Sequence, residues 1–172
     1  SVVYEELAKK GKAPGKLYFT DLNGTFTGFT NIVSRPDQYI VLDADGKLMG
    51  KGAFTATWKL PVDSLNDRFL LNARLDSFDL TALNELLIPL SSAEVQSGRV
   101  RGMTFSTEAS SKGATVEMLF LYNDLRAALL KEKEGELADK KFLTSLVNRI
   151  LKHDNPDKTR KGLTNRVTRM FQ

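Results

Sequence analysis

Residues 95–130 constrain the fold most, because they predict a long β-hairpin that cannot be stable alone. The first arm alternates with a period of two, which is typical of a strand, and turn residues follow at 110–113. The second arm is apolar on both faces at its centre, so the hairpin needs cover from further strands or a helix. One face of the first arm carries Arg101, Met103, Phe105 and Thr107, the other carries Val100, Gly102, Thr104 and Ser106, and one face of the second arm carries Val116, Met118, Phe120 and Tyr122.

The second arm continues past Asn123 and Asp124. This polar pair predicts a bend or bulge within one long strand, although residues 125–130 alone fit a helix equally well.

Several strands are predicted before the hairpin. Residues 15–30 form either a hairpin at Asn23-Gly24 or, as we prefer, one long strand with a glycine bulge. Residues 39–43 predict a short strand, and residues 43–46 a turn. Residues 47–60 and 68–78 alternate and are expected to pair antiparallel. Their inward residues are expected to be Phe54, Ala56, Trp58, Leu60, Phe69, Leu71, Ala73 and Leu75.

Three helices are predicted. A short one is expected near residues 3–9, and another at residues 79–87, with Asp79 as N-cap and Pro89 as the stop signal. The third is amphipathic and covers the apolar sheet or, alternatively, contacts a membrane. Its apolar positions are Leu143, Leu146, Val147, Ile150 and Leu151.

These elements predict a mainly β (α+β) fold built on a long curved antiparallel sheet. Residues 1–130 form the sheet domain, and residues 131–172 form the amphipathic helix, which covers part of the concave face, and a basic tail.

Composition narrows the possible functions. The 172 residues include no cysteine and one histidine, which excludes thiolate nucleophiles, cysteine-based zinc sites and histidine triads. Carboxylate pairs are conceivable, but most of the candidate aspartates lie in predicted turns, where Asp is favoured for local backbone reasons. We therefore predict no enzyme, metal or cofactor. The candidate aspartates are Asp21, Asp43, Asp45 and Asp124.

Charge is unevenly distributed. Up to Leu130 there are 14 basic and 15 acidic residues, whereas from Lys131 onward there are 11 and 6. The basic end can meet anionic lipid, nucleic acid or an acidic partner, or it can be merely solvated. Nucleic acid is disfavoured because the aromatic residues lie on apolar strand faces. No run approaches the length of a membrane span, and the start at Ser1 suggests a fragment with any anchor upstream.

The order of several short strings resembles the C-terminal region of AsmA-like (AsmA/TamB-type) proteins over nearly the whole chain. The strings are VYEEL (3–7), PGKLYF (14–19), MGKG (49–52), FDLTALN (78–84), SGRV (97–100), MLFLYNDL (118–125), and Asn155-Pro156 with Arg160 and Gly162.

The resemblance implies the periplasmic part of a Gram-negative envelope protein that is anchored in the inner membrane. It also implies a role in outer-membrane biogenesis and in phospholipid transfer through an apolar β-groove, which needs no catalytic side chain. The residues expected to line such a groove are Phe54, Ala56, Trp58, Phe69, Leu71, Ala73, Met118, Phe120 and Tyr122.

Three alternatives stay open. The same residues can form the dry core of a closed domain, and a closed sheet can enclose a small ligand. The chain can also be a docking module whose basic residues meet a membrane surface or an envelope protein partner. Those residues are Lys152, Lys158, Arg160, Lys161, Arg166 and Arg169.

Overall fold

Alternation of side chains between two faces organises most of the described residues into strands. A computed structural model describes residues 1–7, 13–32, 35, 38–63, 67–133, 136–139, 152–156 and 166–171. The strands are β1 (Val2–Glu6), β2 (Gly15–Thr27), β3 (Tyr39–Leu48), β4 (Gly52–Pro61), β5 (Phe69–Leu75), β6 (Ala93–Ser110), β7 (Gly113–Lys133), β8 (Glu136–Asp139) and β9 (Arg166–Phe171). Between β5 and β6 lie a 3₁₀ turn, Leu80–Leu83, and helix α1, Asn84–Ser91.

The strands form one open antiparallel sheet in which β1 to β7 each pair with the next strand along the chain. β7 also pairs with β9 through residues 114–119 and with β8 through residues 130–133. The predicted mainly β, antiparallel fold is confirmed, and the sheet does not close on itself.

Bulges interrupt both long strands, at the predicted Asn123-Asp124 position in β7 and just before the predicted Asn23-Gly24 position in β2. β2 is a single strand whose register shifts between Thr20 and Asn23, with Asp21 at a φ of 52°. β7 passes through Asp124, at a φ of 53°, and remains extended to Lys133. The strand interpretation of residues 125–130 is therefore confirmed. A bulged residue bends its strand and increases its twist.

A third bulge changes which face Val100 occupies. The register of β6 against β7 shifts between Val100 and Gly102, so Val100 pairs with Tyr122 while Met103 pairs with Phe120. Val100 therefore lies on the same face as Met103, not on the opposite face as strict alternation predicts. One unpaired residue is enough to reverse the alternation.

The helix predicted near residues 3–9 is wrong for its first half, because residues 2–6 are strand β1. Val2 pairs with Phe19 and Glu6 with Gly15. So short a segment is a marginal helix, whereas the edge of β2 offers backbone partners, and the Val-Val-Tyr run favours a strand.

The turn predicted at residues 43–46 is also wrong, because β3 continues to Leu48. The chain reverses instead at Met49 and Gly50, whose φ angles of 52° and 66° suit a tight hairpin. Gly46 is needed for packing: a Cβ there would lie 2.8 Å from the Leu22 side chain.

The helix predicted at residues 79–87 is confirmed, including its N-cap. The Asp79 carboxylate accepts a hydrogen bond of 2.9 Å from the Thr81 N–H. The helix does not stop at Pro89; it ends two residues later, where Ser92 turns left-handed and donates its N–H to the Ile88 carbonyl at 3.0 Å. Pro89 removes one backbone donor, which a helix can lose this close to its end.

The core lies under this helical segment, at one end of the sheet. Gly15 lets α1 approach β2, since a Cβ there would lie 2.7 Å from Leu90. The Asn84 amide donates to the Val95 carbonyl at 2.9 Å and accepts from its N–H at 2.7 Å, which ties α1 to β6. The buried cluster consists of Leu75, Phe78, Leu80, Val95 and Val100.

The sheet extends beyond the predicted domain boundary at residue 130. β7 reaches Lys133, and two segments of the expected basic tail region are strands β8 and β9. The free edge of β7 supplies backbone partners that a pattern of side chains does not reveal. The amphipathic helix predicted around residues 143–151 lies outside the described residues.

Candidate functional site

All nine residues predicted to line a lipid groove lie on one face of the sheet, which we call the apolar face. Residues directly opposite in an antiparallel pair project to the same side of the sheet, so the strand register shows which residues share a face. Phe54 pairs with Leu75, which pairs with Met103, which pairs with Phe120. The other predicted positions follow by alternation along β4, β5 and β7.

The apolar face has rows of residues that run across the strands. The first row is Phe54, Leu75, Met103 and Phe120; the second is Ala56, Ala73, Phe105 and Met118; the third is Trp58, Leu71, Thr107 and Val116.

The second row is formed by small residues over half of the sheet. Ala56 pairs with Ala44 of β3, which pairs with Gly24 of β2. Large side chains flank this row on β4 and β5, in the first row and in the third. At the β2 end the Leu42 side chain covers Gly24, since a Cβ there would lie 3.3 Å from it. Strands are about 4.8 Å apart, so Ala44, Ala56 and Ala73 span roughly 10 Å across β3 to β5, and we call this stretch of small residues the trough.

None of the nine predicted residues is fully buried. Trp58 is 38% exposed and the other eight are half-buried. Trp58 meets Phe69 edge-on, with ring centroids 5.9 Å apart, and Phe120 lies 5.2 Å from Tyr122. The edge-on geometry is one that aromatic pairs prefer.

The apolar face is divided between a core and a more open part. Phe54, Phe120 and Tyr122 pack against the buried cluster beneath α1, as the core alternative predicts for them. Burial raises the pKa of the Tyr122 phenol, and the Asp154 carboxylate adds to the effect. The other six predicted residues are not among those packed on this cluster and lie further along the face.

The opposite, polar face contains two adjoining depressions of about 310 and 340 Å³ that share Asn72, Ser106 and Glu117. Their linings are dominated by hydroxyl, amide and charged side chains such as Thr55 and Arg74. Ala56 and Ala73 are the only two of the nine predicted residues that border either of these depressions. A lipid groove was expected to be apolar, so neither depression is that groove.

Three of the four candidate carboxylates contact polar neighbours within their own sheet: Asp21 forms an ion pair with Lys47 at 2.8 Å, Asp43 accepts from the Thr57 hydroxyl at 2.6 Å, and Asp45 accepts from Asn23 at 3.1 Å. The backbone N–H of the fourth, Asp124, donates to the Asp154 carboxylate at 3.0 Å. Within the part of the chain that the structure describes, no group of His, Asp or Glu residues is arranged to hold a metal ion.

The predicted basic docking residues are not gathered into one patch where they are described. Arg166 pairs with Leu119 and Arg169 with Val116, so the two arginines hold positions on opposite faces of β9. Lys152 is exposed beside β7, and Lys158, Arg160 and Lys161 lie outside the described residues.

Residues 153–155 hold the chain against the edge of β7. Asn155 and Tyr122 exchange backbone hydrogen bonds of 2.8 and 3.0 Å, and the Leu125 N–H donates to the His153 carbonyl at 2.8 Å. The Asn155 side chain is buried and donates to the Phe120 carbonyl. At the sequence level Asn155-Pro156 enters only as part of the AsmA-like resemblance, and this anchor is not predicted.

A second feature missed at the sequence level is a group of exposed apolar side chains at the end of β2, which includes Phe26, Phe29 and Ile32. The available signal was charge: residues 22–34 are thirteen consecutive residues without Asp, Glu, Lys, Arg or His, the longest such run in the chain.

Comparisons with protein-family models, with curated proteins and with solved structures give no match. The resemblance to AsmA-like proteins therefore stays a prediction. No helix among the described residues has both the length and the apolar character needed to cross a membrane.

Proposed function

We propose that the apolar face holds the acyl chains of a phospholipid, and that the protein is part of an AsmA-like envelope protein that transfers lipid during outer-membrane biogenesis. One observation carries the proposal: nine residues chosen from alternation alone lie on a single face of an open sheet, and none of them is fully buried.

Acyl chains bind by losing contact with water, at about 0.8 kcal/mol for each methylene that is covered. Such a ligand needs a continuous apolar surface and no catalytic group. The trough floored by Ala44, Ala56 and Ala73 supports the proposal, since small residues leave space and the flanking rows on β4 and β5 supply aromatic and aliphatic walls. The polar face carries hydroxyl and charged groups that an acyl chain would desolvate without compensation.

The direct test is to identify what the protein carries. Native mass spectrometry of the purified chain, followed by organic extraction, is expected to find phospholipid. A photo-crosslinking amino acid at Trp58 is expected to label that lipid, whereas the same amino acid at Thr57, the adjacent residue on the polar face, is expected to label little.

A pair of charge substitutions separates lipid binding from folding. Ala73→Glu places a carboxylate in the trough, and Asn72→Glu places one on the polar face of the same strand. We expect Ala73→Glu to lose most bound lipid and Asn72→Glu to retain it, with both variants giving the circular dichroism spectrum of a folded sheet. Equal lipid retention, or labelling at Thr57 as strong as at Trp58, would refute the proposal.

A further inference from the structure

The most exposed aromatic side chain of the described chain lies at the end of the sheet away from α1. Phe29 is 83% exposed, Ile32 69% and Phe26 59%. We call these three residues the exposed tip. Solvent contact on this scale is costly for large apolar side chains, and neighbouring exposed apolar residues mark interaction surfaces.

The base of the tip is held in place by the backbone. Gly28 has a φ of 68°, and a Cβ at this position would lie 2.5 Å from the Tyr39 carbonyl oxygen, so only glycine fits there. Beyond it, the Thr30 hydroxyl accepts a hydrogen bond of 3.1 Å from the Ile32 N–H. The close approach to β3 fixes where the chain leaves the sheet and carries Phe29 out into solvent.

Charge identifies the kind of surface that would accept the tip. The thirteen residues 22–34 contain no charged side chain. Charged residues at the same end of the sheet carry both signs, among them Lys59, Lys112, Asp63 and Asp67, and the next charged residue along the chain is Arg35. Uncharged aromatic and aliphatic side chains ahead of polar groups are typical of segments that enter the interface of a bilayer.

The tip is also continuous with the apolar face. Phe26 pairs with Leu42, which pairs with Trp58, which pairs with Leu71 in the third row. A bilayer in contact with the tip would thus adjoin the apolar face. We propose that the exposed tip inserts into the interfacial region of a lipid bilayer; its use as the point where lipid enters or leaves rests on the proposed function.

Vesicle flotation tests the insertion. We expect the protein to float with neutral phosphatidylcholine vesicles and to do so almost equally at low and high salt, because the tip binds through apolar contact. The double variant Phe29→Ser/Ile32→Ser is expected to bind at least about tenfold more weakly. The control is Leu7→Ser, which removes an apolar side chain that is 64% exposed just after β1, at the opposite end of the same sheet edge, and it should bind like the wild type.

The single tryptophan of the chain provides a second readout, because Trp58 lies in the row that leads to the tip. Its fluorescence should shift to the blue with phosphatidylcholine vesicles and should be quenched by lipids brominated near the headgroup. In a Trp58→Phe background, Phe29→Trp is expected to be quenched more strongly still.

Several outcomes would overturn the proposal that the tip inserts into a bilayer. No flotation of the wild type, or equal flotation of the double variant, overturns the proposal. Sedimentation velocity that shows self-association abolished by Phe29→Ser/Ile32→Ser assigns the tip to a second copy of the chain and also overturns it. Binding that needs phosphatidylglycerol and disappears in high salt assigns the contact to basic residues instead, with the same consequence.

Failure of the tip and failure of the lipid-binding face are distinguishable. The double variant should still contain phospholipid by native mass spectrometry if only vesicle contact is lost. Conversely, the wild type could float with vesicles but carry no extractable lipid, with no lipid crosslinked by the photo-reactive amino acid at Trp58. That result would refute the proposed function but would not contradict insertion of the tip.

Discussion

The two ends of the apolar face have the same alternating pattern and very different surroundings. Beneath α1, Leu75, Phe78 and Val100 are buried. At the other end, Trp58 and Phe26 retain contact with solvent. Both ends carry large apolar residues at alternate strand positions, such as Leu75 at one end and Trp58 at the other, so alternation sets the face but not the burial.

The difference comes from the connections. The segment between β5 and β6 contains a 3₁₀ turn and a helix with leucines on the side that meets the sheet, and it folds back over the first row. The segment that leaves β2 at the other end carries Phe29 and Ile32 into solvent instead. One connection makes a core and the other leaves an apolar surface available for binding.

Truncating an aromatic residue at the covered end should have the largest effect. Phe78→Ala is expected to lower the free energy of unfolding by about 3–5 kcal/mol, since the ring is buried and lies about 3.0 Å from the position a Cβ of Gly52 would take. Phe26→Ala, at the exposed end, should cost less than about 1 kcal/mol. Urea denaturation measures both, and similar costs would contradict the contrast between the ends.

The anchor on β7 should have the next largest effect. Asn155→Ala removes the amide that donates to the Phe120 carbonyl in a buried setting, and we expect a loss of about 1–3 kcal/mol. The matched control is Asn72→Ala on the exposed polar face, which should stay within about 0.5 kcal/mol of the wild type. An Asn155→Ala variant as stable as the control would mean that the backbone pairing with Tyr122 suffices.

Much of the sheet was predictable because apolar and polar residues alternate without interruption in strands that pair along their full length. β4, β5 and β7 were recognised with the correct faces, and the bulge of β7 was located from the polar pair Asn123-Asp124. A bulge was also predicted in β2, but at Asn23-Gly24 and not at Asp21, where the register shifts. The helix after β5 was recognised from its leucine stripe and from Asp79.

The failures share one physical cause: pairing depends on what lies beside a segment. Residues 2–6 become a strand because the edge of β2 is available, and residues 43–46 stay extended because β4 pairs with them throughout. For the candidate site, alternation correctly grouped Trp58 and Phe69, but it could not show that Phe54 belongs to the core. Nor does alternation detect Phe29, which lies outside any strand.

The N-cap that begins the covering segment gives a smaller, pH-dependent prediction. Hydrogen bonds from Thr81 lower the pKa of Asp79, so this carboxylate stabilises the fold at pH values above its ordinary pKa and loses that contribution as the pH falls toward its lower folded-state value. Asp79→Ala is expected to cost about 1 kcal/mol near neutral pH.

Asp79→Asn is the control, because asparagine also caps helices but does not titrate. It should be close to the wild type at neutral pH and should lose less stability than the wild type on acidification to about pH 3. Urea midpoints at the two pH values give the comparison. An equal acid-induced loss in both proteins would assign the pH dependence to other carboxylates.

The smallest expected effect is the coupling energy of an aromatic pair, which can be compared between the two ends of the apolar face. Trp58 with Phe69, and Phe120 with Tyr122, are aromatic pairs with centroids 5.9 and 5.2 Å apart. Double-mutant cycles to alanine should give similar coupling energies of about 0.5–1 kcal/mol, because coupling reflects the ring contact itself. The single truncations should nevertheless cost more for Phe120, which packs on the buried cluster, than for Trp58. A coupling that is large at the covered end and absent at the other would show that the rings at the exposed end are not held together, and the apolar face would then be less ordered where lipid is proposed to bind.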